Sequence, residues 1–130
     1  MKTQGVFTMK GESVTVFPSD DVGIIFTDVT SEGFTTARKV EIGPDAPTDF
    51  KVKQYYDIRT TAVYKGKATI RIICAASTKK KEDEDGIQLM QWNERTKHWI
   101  DITKHFNPEY NLVIGETSRL SIFGITERAR

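Results

Sequence analysis

From Ala68 to Cys74 the chain alternates: Ala68, Ile70, Ile72 and Cys74 fall on one face of an extended chain, with Thr69 and Arg71 on the other. A period of two sends successive side chains to opposite faces, whereas a helix groups residues three and four apart. The segment is therefore predicted to be a β-strand with one face in a core. Just before it, Ala62-Val63-Tyr64 is a second β-forming run. Lys65-Gly66-Lys67 between them combines a glycine with two solvated charges, the chemistry of a tight connection. The stretch from Tyr55 to Ala76 is accordingly expected to hold a strand pair.

The rest of the chain reads the same way. Val6 to Met9 and Ser13 to Phe17 are β-forming runs, the second stopping at the turn cluster Pro18-Ser19-Asp20-Asp21. Gly23 to Val29 and Phe34 to Ile42 follow as strands around Thr30-Ser31-Glu32-Gly33. Gly43-Pro44-Asp45-Ala46-Pro47 is the strongest breaker and is expected to be a loop crossing an edge. Phe50 to Ile58 resumes extended structure, and the adjacent Tyr55 and Tyr56 point to opposite faces, one to the core. Ser77 to Asp85 has no apolar member and is expected to be a mobile surface loop. Ile87 to Trp92 and His98 to Ile102 read as a hairpin around Asn93 to Lys97. That pairing would set Trp92 against Trp99 near the open end, or pack both into the core. Thr103 to Tyr110 reads as an irregular connection, with final strands at Asn111 to Thr117 and Ser121 to Thr126. Met1 to Gln4 and Glu127 to Arg130 are expected to be frayed.

Eight to ten short strands with turn signals between them and no helical stripe predict an all-β antiparallel sandwich of immunoglobulin-like general shape. Its core is expected around Ile24-Ile25-Phe26, Ile70, Ile72, Leu89, Ile100, Val113 and Ile122-Phe123. The 130 residues suit one domain, 1–130, large enough to bury a core without staples.

Composition narrows the partners. Nineteen basic and eighteen acidic residues leave a formal charge of +1, so no global field draws nucleic acid or an anionic membrane. No run approaches the roughly 18 apolar residues of a membrane helix. The N-terminus MKTQGVFTMKGESVTVF has no apolar signal core. The chain as given reads as soluble, with neither nucleic-acid binding nor membrane insertion expected. The single cysteine, Cys74, precludes an internal disulfide and fits a reducing compartment.

No catalytic constellation, cofactor site or metal site is expected. His98 and His105 would need carboxylate help from Asp101 or Glu109 to hold a metal, and their spacing is no known ligand pattern, so they read as surface histidines. Glu82-Asp83-Glu84-Asp85-Gly86 lacks the alternation of a calcium loop and is offset by Lys79-Lys80-Lys81, while Asp20-Asp21 is short of ligands. Cys74 shares the phase of Ile70 and Ile72, and a buried thiol is inert. The candidate ligand-binding residues are aromatic: Trp92, Trp99, Tyr55 and Tyr56, with Tyr64, would form a sugar-stacking platform if exposed. Core packing is the preferred reading of these rings.

The order of five pieces, GIIFTDVTSEGFTT, GPDAPTDF, YYDIRTTAVYKGKATIRI, IQLMQWNERTKHWIDIT and NLVIGETSRLSIFGI, resembles a β-sandwich module of bacterial and archaeal cell-surface and secreted proteins. It covers residues 23–126. That module in turn is similar to the β-sandwich domain shared by ankyrins, netrin receptors and zonula occludens proteins. The resemblance implies a non-catalytic interaction or spacer module of a larger or oligomeric protein, at the cell surface or outside it. Its partners would be protein, self or other domains. A carbohydrate-binding module is the alternative. In the bacterial module a cysteine pair often sits on the strands where this chain has Arg71 and Ile114. Some animal relatives cleave themselves at a His-Phe-Ser in the segment matching Arg119-Leu120-Ser121. Only Ser121 is kept, and the acyl shift needs a hydroxyl with a base nearby, so self-processing is the least favoured reading.

Overall fold

The structure, a computed structural model, describes residues 5–41, 43–46, 50–74 and 87–128. Those residues form β1 (Val6–Thr8), β2 (Gly11–Ser19), β3 (Val22–Ser31), β4 (Gly33–Val40), β5 (Phe50–Thr60), β6 (Val63–Ile73), β7 (Ile87–Asn93), β8 (His98–Asp101), β9 (Thr103–Asn107), β10 (Leu112–Thr117) and β11 (Ile122–Arg128), with no helix among them. Two antiparallel sheets pack together, a six-stranded one ordered β1-β4-β5-β11-β7-β8 and a five-stranded one ordered β2-β3-β6-β10-β9. The expected all-β sandwich is what the chain forms.

Period-two patterning explains the core. Ile24, Phe26, Ile70, Ile72 and Val113 of the five-stranded sheet meet Ile58, Leu89, Phe123 and Ile125 of the other, all essentially without solvent access. Fully burying one such side chain contributes about 1.5–3 kcal/mol. Threonine hydroxyls continue this interior at one end. Thr8 Oγ1 lies 2.6 Å from Thr35 Oγ1, which lies 2.9 Å from Thr60 Oγ1, so each buried hydroxyl has a partner.

The chain crosses between the sheets at Met9–Lys10, Glu32, Thr61–Ala62, Ile102 and residues 118–121. At Ile102 the crossing is hydrogen-bonded on both sides. Its N–H donates to Leu89 O in one sheet (3.0 Å), and its carbonyl accepts from Glu116 N in the other (3.2 Å), as at a corner where a strand changes sheets.

Several expectations need correction. The strand pair between Ala62 and Cys74 is one strand, β6, lying between β3 and β10. Lys65-Gly66-Lys67 is not a turn: Gly66 has φ +79° opposite a bulge between Phe26 and Asp28, and Thr27 Oγ1 donates to Lys67 O at 2.7 Å. Glycine serves a bulge for the reason it serves a turn, freedom at positive φ. Thr103–Asn107 is strand β9. The Gly43–Ala46 segment crosses no edge; it joins β4 to β5, neighbours in one sheet. Glu127 and Arg128 belong to β11. Ile100 is 44% exposed on the edge strand β8, while Ile25 and Ile122 are half-buried and point out of the core. The expected loop Ser77 to Asp85, the acidic run Glu82 to Gly86 and the expected frayed segments Met1 to Gln4 and Ala129–Arg130 lie outside the described residues.

Candidate functional site

Tyr56 points inward and is buried beside Asp21, whereas Tyr55, on the opposite face, stands on the outer surface of the six-stranded sheet. Trp92 and Trp99 share that surface as direct cross-strand partners of β7 and β8. The three outward rings form one cluster. Trp92 and Trp99 meet edge-on, with centroids 5.4 Å apart and 63° between planes, and Tyr55 stacks on Trp99 at 6.2 Å. Met90 is on the same outward face of β7 yet only 6% exposed. The aromatic residues thus build a small second apolar layer, not part of the inter-sheet core.

The breaker segment straps this layer down. Trp99 Nε1 donates to Asp45 O at 2.6 Å, and the Tyr55 hydroxyl donates to Pro44 O at 2.6 Å. Trp92 Nε1 donates to Glu94 Oε1 at 2.9 Å. Lys97 also binds Glu94, and these bonds, Lys97 first and Trp92 next, hold the Glu94 carboxyl below its ordinary pKa. Every polar handle of the three outward rings is occupied from within, and the two indoles are steeply inclined. The three rings therefore present no single flat surface for a sugar's C–H face. A cleft of about 560 Å³ between Pro44–Ala46, Trp92 and Trp99 remains beside the strap.

A second concavity lies at the end where crossings gather. An open groove of about 780 Å³ runs between Phe34, Val63, Tyr64 and Leu120, with Arg59 and Arg119 beside them. Three crossings assemble it: Glu32 to Phe34, Thr60 to Val63, and residues 118–121. Gly33 permits the first two to touch, because a Cβ there would sit 2.3 Å from Ala62 N. Phe34 N donates to Thr61 Oγ1 (2.9 Å), and Thr61 N donates to Phe34 O (2.9 Å). The third crossing is held by a buried amide: Gln91 Nε2 donates to Arg119 O (2.8 Å) and Ser121 Oγ (3.0 Å), while Thr117 Oγ1 donates to Gln91 Oε1 (2.5 Å). Tyr64 forms part of the lining, its ring against Phe26 at 4.8 Å and its hydroxyl donating to Ser118 O at 3.1 Å. Burial raises the Tyr64 pKa, against a smaller opposing pull from Arg119. Beside the groove Phe7 and Phe34 form an edge-on pair, 5.8 Å between centroids, with 52% and 44% of their surfaces exposed.

The remaining candidates disperse. His98 and His105 are exposed on strands of different sheets, and among the described residues no group of three or more His, Cys, Asp or Glu is placed to hold a metal. Ser121 Oγ donates to Trp92 O (3.0 Å) besides accepting from Gln91. Cys74 is half-buried just past β6, and burial pushes its thiol up to about 11 against a smaller lowering by Lys53.

Sequence reading missed the groove because its parts are scattered over Phe34, Tyr64 and Arg119. One local signal existed: Phe34 and Phe7 occupy the outward phase beside inward Thr35 and Thr8, a place where alternation calls for polar residues. Comparison with known protein families, curated proteins and solved structures finds no match to this chain.

Proposed function

We propose that this sandwich is a non-catalytic module that associates with other protein, self or neighbouring domains. The carrying observation is the Phe7–Phe34 pair, an aromatic contact left open to water and continuous with an apolar groove. Exposed clustered aromatics mark association surfaces more often than scattered single side chains do. Side-chain docking suits this molecule better than strand addition. The edge strands β1, β8 and β9 have three, four and five residues, and β2 is broken by a bulge near Pro18 and by positive φ at Gly11 and Ser13. Short and bulged edges resist pairing.

The likeness to the cell-surface module is part of this proposal. In its support, Arg71 and Ile114, where that module often carries cysteines, are direct cross-strand partners. A carbohydrate-binding role draws less support, since the strap and Glu94 occupy the donors of the ring cluster. The test is size-exclusion chromatography with light scattering at several protein concentrations, with pull-down from source lysate, for wild type and Phe7→Ser/Phe34→Ser. Association that the double variant loses is expected; a wild type that stays monomeric and captures nothing overturns the reading.

A further inference from the structure

We propose that the groove at the crossover end binds an acidic, apolar linear peptide of a partner protein, its carboxylate taken by Arg119 and Arg59 and its apolar side chains seated against Phe34, Val63 and Leu120. The proposal rests on the association reading above and gives that surface a partner chemistry.

Charge complementarity carries it. Among the described residues, the groove's lining contains two guanidinium groups and no carboxylate. Arg119 makes no ion pair with any described residue, and its position is set through its own backbone, by Gln91 on the carbonyl and by Thr117 Oγ1 on the N–H (3.2 Å). The Arg119 backbone is fixed at the groove's rim while its exposed guanidinium has no carboxylate partner among the described residues. Arg59 uses Nε on Asp57 at 2.8 Å, which leaves its two terminal nitrogens for a carboxylate in the fork geometry that arginine favours. A basic segment would be repelled by Arg119, and a purely polar one would leave the apolar wall wet, which sets the selectivity.

Fluorescence anisotropy on the full chain tests this with labelled hexapeptides that alternate glutamate with leucine or phenylalanine, and with the same peptides carrying lysine for glutamate. The acidic set is expected to bind and the lysine set not to bind, with affinity falling as salt rises. Arg119→Met and Arg59→Met should each weaken binding about tenfold, roughly one lost charge-assisted contact. Trp99→Phe, which lies outside the groove's lining, should leave it unchanged. Equal binding of both peptide sets, no binding of either, or unaltered binding by the arginine variants overturns the groove assignment. If the acidic set fails while light scattering still shows association that Phe7→Ser/Phe34→Ser abolishes, the groove assignment alone falls; if association is absent too, both readings fall.

Discussion

Thr117 donates its hydroxyl to Gln91 Oε1 across the interior, 2.5 Å from one sheet to the other. Both side chains are buried, and the same amide holds Arg119 O and Ser121 Oγ. One glutamine therefore couples sheet packing to the crossing that presents Arg119 and Leu120.

Gln91→Ala should remove the bridge between the sheets, although Thr117 Oγ1 still reaches Arg119 O at 2.9 Å, and cost about 1 kcal/mol. Urea denaturation reads the loss. Amide exchange at residues 118–121 should accelerate well beyond the global change, and unchanged local protection would show that other contacts hold the crossing.

Trp99→Phe keeps a ring against Tyr55 but deletes the indole donor to Asp45 O, at an expected cost of about 1 kcal/mol. Trp99→Ala removes the stacked ring as well and should cost clearly more. In Trp99→Phe the remaining Trp92 reports its environment by fluorescence. If both variants match wild type in stability, the strap contributes nothing to the fold.

Core and edge isoleucines should separate. Ile70→Ala, inside the sandwich, should destabilise by about 2–5 kcal/mol. Ile100→Ala, on the exposed edge, should cost less than about 1 kcal/mol. Equal losses in thermal or urea unfolding would place Ile100 in the core after all.

Alkali should unfold the protein earlier than neutral surface chemistry requires. The Cys74 thiol is pushed from 9.0 up to about 11 by burial, and Tyr56 is also raised, by burial first and the Asp21 carboxylate next. Both folded values exceed the unfolded ones, so the folded state holds these protons more tightly. Their contribution is whole below about pH 9 and is lost as pH climbs toward 11 and beyond. Stability measured at stepped pH should fall across that window, less steeply in Cys74→Ala, and iodoacetamide should react slowly with the native thiol near pH 8.

Arg71→Cys/Ile114→Cys, made in a Cys74→Ala background, should oxidise readily, because directly opposed strand residues have the Cα separation a disulfide needs. The link should add about 2–4 kcal/mol, seen as a higher melting temperature that reductant reverses. Failure to oxidise would remove one support for the likeness to the surface module.

The inward face of β6 was legible because alternation survives there, and Ile70 and Ile72 are where period two put them; the runs Ile24-Ile25-Phe26 and Ile122-Phe123 marked strands without showing which side chains face in. The role of Gly66 was not, since a glycine at positive φ between lysines looks alike in a hairpin and in a bulge, and only the partner strand β3 distinguishes them. Trp92 opposite Trp99 followed from hairpin symmetry, but not the face they occupy, because Leu89, Met90, Gln91 and Trp92 leave the phase of β7 open in the sequence and it is Leu89 and the polar Gln91 that point inward. The groove was invisible because no window of sequence contains both Phe34 and Arg119.

The last strand, β11, is not added at a margin but fills the gap between β5 and β7 in the six-stranded sheet. Without β11, strands β5 and β7 would each present a row of unpaired backbone groups to the gap between them. A chain stopped before Ile122 would therefore carry two additional open edges, those of β5 and β7, that β11 covers in the complete sheet. Premature termination should therefore yield aggregates for proteolytic clearance and no smaller folded domain.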